Sequence, residues 1–452
     1  MKTTVQRFTI IGTALVLMMV LASCHDLFDK DNDPSTMFEV TIENVSPVYP
    51  ILKSSAFTTP VGAADPAPLM PGQAYEFEFT APVGTQLSLA TMFAQSNDWI
   101  FATDEDGISL YNQDGSQITG DVTAQIDLYD AGTEEDEEVG VGENQAPRQS
   151  APDTGPDDDN PNVRLVENND LPSNEEMIQV TLTSTGQHRF MIRIENVSNS
   201  NTLQTSDGPK PASLSPGVWL VHSADELGLL YTLGQTDYGD GLEAIAEDGN
   251  PAELAASLDE NTGLTVPLSP GVFAVYEGDN PIFMANTPAP DNGIEAIAED
   301  GQPGMLASIL SSSATVSASG VFNQPEGASN PGPLLPGDRY TFSFEANQGE
   351  RLTFATMYVE SNDLFYSPME SGIDLFDGDM PNTGDVTDQV QLWDAGTEMN
   401  EEPGVGENQV LRQSDLDTGP EDSNPNVRPV NDQYHYGDTA DRIKVTINMV
   451  EN

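Results

Sequence analysis

Hydrophobic and polar residues alternate along Phe38-Glu-Val-Thr-Ile-Glu-Asn-Val-Ser46 and again along Phe190-Met-Ile-Arg-Ile-Glu-Asn-Val-Ser198. A period of two places every second side chain on one face, so each stretch predicts a half-buried strand. Tyr75-Glu-Phe-Glu-Phe-Thr80 and Tyr340-Thr-Phe-Ser-Phe-Glu345 carry the same pattern, each after a Pro-Gly turn. Ile178-Gln-Val-Thr-Leu-Thr183 and Ile443-Lys-Val-Thr-Ile-Asn448 carry it too. Long loops rich in Gly, Pro and Asp separate these runs. Short alternating strands joined in this way predict a mainly β chain folded as antiparallel β-sandwiches.

The runs are also repeated in identity. Ala90-Thr-Met-Phe-Ala-Gln-Ser-Asn-Asp98 returns as Ala355-Thr-Met-Tyr-Val-Glu-Ser-Asn-Asp363, and Leu128-Tyr-Asp-Ala-Gly-Thr-Glu134 as Leu392-Trp-Asp-Ala-Gly-Thr-Glu398. Gly140-Val-Gly-Glu-Asn-Gln145 matches Gly404-Val-Gly-Glu-Asn-Gln409, and Asn160-Pro-Asn-Val-Arg164 matches Asn424-Pro-Asn-Val-Arg428. The spacing slips by one residue after the first pair, a deletion in a loop. Two sandwich domains follow, expected over 37–188 and 189–452.

The copies differ in length. Only residues 47–56 part the opening strand of the first copy from Phe57-Thr-Thr-Pro60. In the second copy roughly 120 residues intervene, far beyond an ordinary loop, so a structured insertion is expected at about 199–321. It has its own repeat. Leu214-Ser-Pro-Gly-Val-Trp219 leads to Glu243-Ala-Ile-Ala-Glu-Asp-Gly249, and Leu268-Ser-Pro-Gly-Val-Phe273 leads to Glu295-Ala-Ile-Ala-Glu-Asp-Gly301. Asn250 as cap and Pro251 in the first turn predict a short helix to Leu258, with a weaker equivalent over 305–310. Each unit reads as a strand and then a helical segment, and the first copy lacks one.

Charge narrows the partners. The 452 residues suffice for two or three domains with sizeable cores. Fifteen basic against 74 acidic residues leave a net charge of −59, which repels phosphate backbones and anionic headgroups. Nucleic acid is therefore excluded as a partner, and cations are the natural counter-charge. A secreted calcium-binding protein and a halophilic protein kept soluble in concentrated salt both fit.

Cys24 is the only cysteine, so no intramolecular disulfide forms. Lys2 and Arg7, an apolar run over 8–21 and Leu21-Ala-Ser-Cys24 describe a secretory signal. The run is shorter than the about 20 apolar residues that span a bilayer. Leu-Ala-Ser-Cys resembles the bacterial lipobox, which implies a signal peptide over 1–23, lipidation of Cys24 and a tether over 24–36. An ordinary signal peptide with a chance cysteine is the alternative. The first reading makes a lipoprotein at the cell surface or in the periplasm, held to the membrane through its lipid alone. His25 after the cysteine favours the outer membrane.

Asp130-Ala-Gly-Thr-Glu134 sets two carboxylates four residues apart around a glycine, which lets the chain curl until both face one point. Asp98 is a candidate third ligand from a neighbouring loop, and the second copy offers Asp363, Asp394 and Glu398. A hard cation such as Ca²⁺ takes six to eight oxygens from such groups, backbone carbonyls and water. The alternative is plain turn chemistry, with Asp accepting from backbone amides. The runs Glu134-Glu-Asp-Glu-Glu138 and Asp157-Asp-Asp159 read as solvated loops.

The ordered series of Ser-Asn-Asp, Leu-Tyr/Trp-Asp-Ala-Gly-Thr, Gly-Glu-Asn-Gln with Arg-Gln-Ser, and Asn-Pro-Asn-Val-Arg resembles the spondin N-terminal domain. The similarity runs over 38–183 and 190–450. It implies a C2-like β-sandwich that holds calcium, acts in extracellular adhesion and catalyses nothing. The family's ligands would fall on Asp98, Asp130 and Glu134, and on Asp363, Asp394 and Glu398. The last ligand of each set is Glu where animal members have Asp, so its longer arm must reach the ion differently.

An enzyme is not expected. His25, His188, His222 and His435 lie far apart and outside the repeated motifs. With no cysteine beyond Cys24, thiol catalysis and zinc–thiolate sites are excluded. Trp99, Trp219 and Trp393 fit a core better than a sugar platform, and scarce Arg148, Arg164, Arg412 and Arg428 are expected to pair with loop carboxylates. The sequence thus reads as a secreted, lipid-anchored calcium-binding protein for adhesion to a matrix, glycan or cell-surface partner. The alternatives are a cell-envelope structural lipoprotein without a specific ligand and a glycan-binding accessory protein.

Overall fold

The computed structural model describes residues 35–167 and 170–450. The signal peptide over 1–23, the lipidation expected at Cys24 and nearly all of the tether lie outside the described residues. Strand makes up 37% of the chain against 11% helix, and the sheets are antiparallel, so the mainly β sandwich architecture expected from the periodicity is the one present.

Each sandwich faces a four-stranded sheet with a larger one. In the first, Ala74–Thr80, Arg189–Asn196, Ile178–Gly186 and Gly120–Asp121 lie in that order. Opposite them run Ile51–Phe57, Leu214–Ser223, Thr85–Phe93, Trp99–Thr103, Ile126–Asp130 and Arg164–Leu165. In the second, Arg339–Ala346, Thr36–Asn44, Ile443–Met449 and Gly384–Asp385 face Val316–Phe322, Leu268–Tyr276, Arg351–Tyr358, Leu364–Pro368, Val390–Asp394 and Arg428–Pro429. Tyr75, Phe79, Leu89, Phe101, Val180, Ile192 and Trp219 fill the first core. Phe38, Val40, Phe273, Phe344, Phe354 and Val445 fill the second.

These pairings correct the domain boundaries. The strand Thr36–Asn44 does not join the sequence that follows it; it lies between Arg339–Ala346 and Ile443–Met449 in the second sandwich. The strand Arg189–Asn196 belongs to the first sandwich, between Ala74–Thr80 and Ile178–Gly186. The expected insertion at about 199–321 is divided. Leu214–Ser223 pairs with Ile51–Phe57 and Thr85–Phe93 in the first sandwich, whereas Leu268–Tyr276 pairs within the second. The first sandwich therefore has its own Leu-Ser-Pro-Gly-Val strand. It is one continuous stretch, 45–263, set into the second sandwich after that sandwich's first strand, and its elements are circularly permuted relative to its host.

Loop closure explains the choice. Ile178–Gly186 and Arg189–Asn196 form a hairpin whose turn is only Gln187-His188, and so close at the smallest entropic cost. This fills the place that Thr36–Asn44, almost its sequence twin, could have taken. Ile443–Met449 is the last described strand, and Thr36–Asn44 fills the matching place beside it. Asn44 donates its amide to Val266 O and Leu334 O, both at 2.8 Å, and Asn196 donates likewise to Leu69 O and Ala212 O at 2.9 and 3.0 Å. Each thus ties the strand end to the opposite side of its own sandwich. The inserted stretch begins and ends side by side, with Gly263 N donating to Ile51 O at 2.9 Å and Tyr49 N to Thr265 Oγ1 at 2.9 Å. Adjacent ends are what an insertion into another domain requires.

A third layer covers the outer face of each larger sheet. The sequence leads to one helical segment per unit; the structure has two. Helices α1 (Leu242–Asp248) and α2 (Ala252–Glu260) bury Leu242, Ile245, Leu254 and Leu258 against Ala90, Met92, Ile100 and Leu220. Helices α3 (Ile294–Asp300) and α4 (Gly304–Ser312) bury Ile294, Ile297, Leu306 and Leu310 against Val272, Ala274, Phe365 and Trp393. Gly249 and Gly301 end α1 and α3 in the left-handed region at φ 64°, which a glycine adopts without strain. With both faces covered, the central strands lose alternation, as the nearly continuous burial of Thr85–Phe93 shows.

Candidate metal centres

At one end of each larger sheet two of the three predicted ligands come together, Asp98 with Asp130 and Asp363 with Asp394, while Glu134 and Glu398 turn aside. Ser96 Oγ donates to Phe93 O at 2.6 Å and accepts from Trp99 N at 3.0 Å, a tight turn that places Asp98 just before the strand Trp99–Thr103. Trp99 pairs with Asp130, the last residue of Ile126–Asp130, so Asp98 and Asp130 are neighbours. Gly132 then turns at φ +74°, and a Cβ there would lie 2.8 Å from Asn162 N and Pro161 C. Only glycine fits this turn. Through it the backbone N–H groups of Thr133 and Glu134 donate to Asp98 Oδ2 at 2.7 and 3.1 Å.

Asp98 is fully buried, and its other oxygen, Oδ1, has no partner. Asp130 accepts from Gly132 N at 2.8 Å through Oδ1 and pairs with the Arg164 guanidinium through Oδ2. Arg164 also donates to Asp158 Oδ2 at 2.6 Å. The third carboxylate that converges here is Asp136: oxygens of Asp98, Asp130 and Asp136 lie within 4.8 Å of one another. Burial pushes Asp98 up to about 6. Burial, and then the charge of Asp98, push Asp130 up to about 7 against the pull of Arg164.

Glu134 faces elsewhere. Its Oε1 accepts from Gly155 N at 2.6 Å and its Oε2 from the Asn97 amide at 3.3 Å. It converges with Asp153 and with Glu247 of α1 in a second acidic group. Burial pushes Glu247 up to about 8. Asp153 holds φ 51°, as its counterpart Asp417 holds φ 54°.

The second sandwich repeats the frame. Thr397 N and Glu398 N donate to Asp363 Oδ2 at 3.0 and 3.1 Å, and Asp363 Oδ1 is buried without a partner. Asp394 accepts from Gly396 N at 2.7 Å and pairs with Arg428 at 2.6 Å. Burial pushes both carboxyls up. Glu398 accepts from Gly419 N at 2.6 Å and from the Asn362 amide at 3.2 Å. Glu295, Glu299 and Asp417 form the second acidic group. The position of Asp136 is taken by Asn400, whose amide donates to Asp394 Oδ2 at 2.9 Å and to Asp432 Oδ2 at 3.0 Å.

Asp136, Asp153 and Glu247 in the first sandwich, and Glu295, Glu299 and Asp417 in the second, are the members of these acidic groups that the sequence does not single out. Asp136 is hidden in a run of acids that reads as solvent-exposed. The glutamates had a trace, the twice-repeated Glu-Ala-Ile-Ala-Glu, in which the second Glu falls on the buried side of a helix. Arg164, Arg412 and Arg428 pair with acids as expected, Arg412 with Glu360 at 2.5 Å. Arg148 instead donates to neutral groups, Gly142 O at 2.7 Å and Gln95 Oε1 at 3.2 Å. Ser88 and His222 touch at 2.9 Å, but both are buried and Gly107 packs over Ser88. That pair does not offer an accessible nucleophile.

Fold and site together define a mainly β, double-sandwich protein with a carboxylate cluster at the end of each larger sheet. No protein-family model matches the chain, and no curated protein matches it.

Proposed function

We propose that this protein is a secreted, lipid-anchored calcium-binding protein of the spondin type, acting in adhesion or matrix contact and not as an enzyme. The observation that carries the reading is the buried, partnerless Oδ1 of Asp98 beside Asp130 and Asp136, repeated by Asp363 beside Asp394. A buried carboxylate oxygen without a donor is costly, and a hard cation is the partner such an oxygen suits. All-carboxylate oxygen donors match Ca²⁺ and not a soft metal. Asp98, Asp130, Asp363 and Asp394 would hold the ions; Asp136 would complete the first set. Calcium supplies no chemistry here beyond charge and cross-linking of loops.

The three tryptophans are 4%, 7% and 4% exposed, so none presents a face for a sugar, which favours adhesion over glycan binding. Calorimetry of the chelator-stripped full chain tests the reading. Heat on adding Ca²⁺, lost in an Asp98→Asn/Asp363→Asn double variant that remains folded by circular dichroism, is the expected result. A wild-type chain that takes up no calcium overturns it.

A further inference from the structure

We propose that the two centres are unequal: the inserted sandwich carries the tight cation site, its host a weaker one, and Asp136 against Asn400 sets the difference. This rests on the calcium reading above.

The two centres share their frame. Asp98 matches Asp363, Asp130 matches Asp394, the glycine turn recurs, and one arginine pairs with the strand-end aspartate in each. Each also keeps one fully buried carboxylate oxygen without a partner, Oδ1 of Asp98 or of Asp363. What differs is the third group. In the inserted sandwich Asp136 brings a third negative charge to within 4.8 Å of the other two. In the host, Asn400 sets an amide nitrogen between two carboxylates, 2.9 Å from Asp394 Oδ2 and 3.0 Å from Asp432 Oδ2. Asp432 is further engaged, accepting from the Tyr436 hydroxyl at 2.7 Å and from Tyr434 N at 2.8 Å.

The consequences run one way. Affinity for a hard divalent cation rises with the number of charged oxygens that converge on it. Among the described residues three carboxylates converge within 4.8 Å in the inserted site, whereas no such trio forms around Asp363 and Asp394. An Asn can coordinate through its carbonyl oxygen. To do so Asn400 must turn its amide and give up both hydrogen bonds, leaving Asp394 and Asp432 facing an oxygen instead of a donor. The amide therefore acts as a built-in partial counter-charge that a cation must displace. On the inserted side Asp136 is exposed and borders a cavity of about 530 Å³ with Trp99, Asp130 and Arg164, which gives the ion a path in.

Calcium titration of the full chain, followed by calorimetry, decides the matter. Wild type should show one tight and one weaker event with dissociation constants at least about tenfold apart. Asp136→Asn should weaken the tight event into the range of the other. Asn400→Asp should strengthen the weaker event by a similar factor, a gain that cannot come from misfolding. Two equal events in wild type, or an Asn400→Asp chain with an unchanged titration, overturn the inference and leave the calcium reading standing. No binding to wild type or to Asn400→Asp overturns both.

Discussion

Phe38 stacks on Phe344 with ring centroids 5.9 Å apart, although the whole inserted sandwich lies between them in sequence. The same ring meets Phe376 edge-on at 5.4 Å. A strand at the start of the described chain therefore helps to close the core of the second sandwich. Phe38→Ala should destabilise that sandwich by about 3–5 kcal/mol, the usual loss for a buried Phe. Hydrogen exchange read by mass spectrometry should show faster exchange over 339–346 and 443–449 and no change over 178–196. Equal acceleration in both sheets would contradict the pairing.

Because the inserted sandwich is continuous and its ends meet at Ile51 and Gly263, a fragment of residues 45–263 should fold alone. A fragment of 37–188 should not, since it lacks the strands Arg189–Asn196 and Leu214–Ser223 from the middle of both sheets. Cooperative thermal melting by circular dichroism distinguishes them. A cooperative melt of 37–188 would show that the strands can pair as an ordinary tandem repeat.

Among the described residues, Arg164 is the positive charge paired with Asp130, and Arg428 the one paired with Asp394. Both arginines are partly exposed, so solvent softens the effect. Arg164→Gln should lower stability in chelator by about 1–3 kcal/mol, the range for leaving a charged partner poorly satisfied. Calcium should restore much of that loss. Urea denaturation with and without the ion measures it, and a loss that calcium leaves untouched would place Arg164 outside the site's electrostatics.

Glu247 and Glu299 give the chelated protein a pH dependence of defined sign. Burial pushes both up to about 8, whereas an unfolded glutamate titrates near about 4.3. Between these values the folded chain holds protons that the unfolded chain releases. Stability is greatest below the lower value and falls as pH rises towards the upper one. Urea midpoints at pH 5.5, 7 and 8.5 should fall in that order. The Glu247→Gln/Glu299→Gln variant should show a shallower decline; an equal slope would assign the dependence to other carboxyls.

The sequence by itself determined the strands, the duplication and the two aspartates at the core of each centre. The strand pattern over 178–183 or 443–448 follows from one buried face, and the glycine of Asp-Ala-Gly-Thr permits the turn that brings the Thr133 and Glu134 N–H groups to Asp98. Tertiary structure alone decided which strand joins which sandwich. The segments at Phe38 and Phe190 are closely alike in pattern, and the two-residue turn at Gln187-His188 gives the Phe190 segment the smaller closure cost beside Ile178–Gly186. The third carboxylate of the group was likewise out of reach of spacing. Beyond Gly132 the backbone turns Glu134 towards Gly155 and Asn97 and brings Asp136 back to Asp98. That direction is set by contacts with residues 155 and 160–162, which only folding brings near.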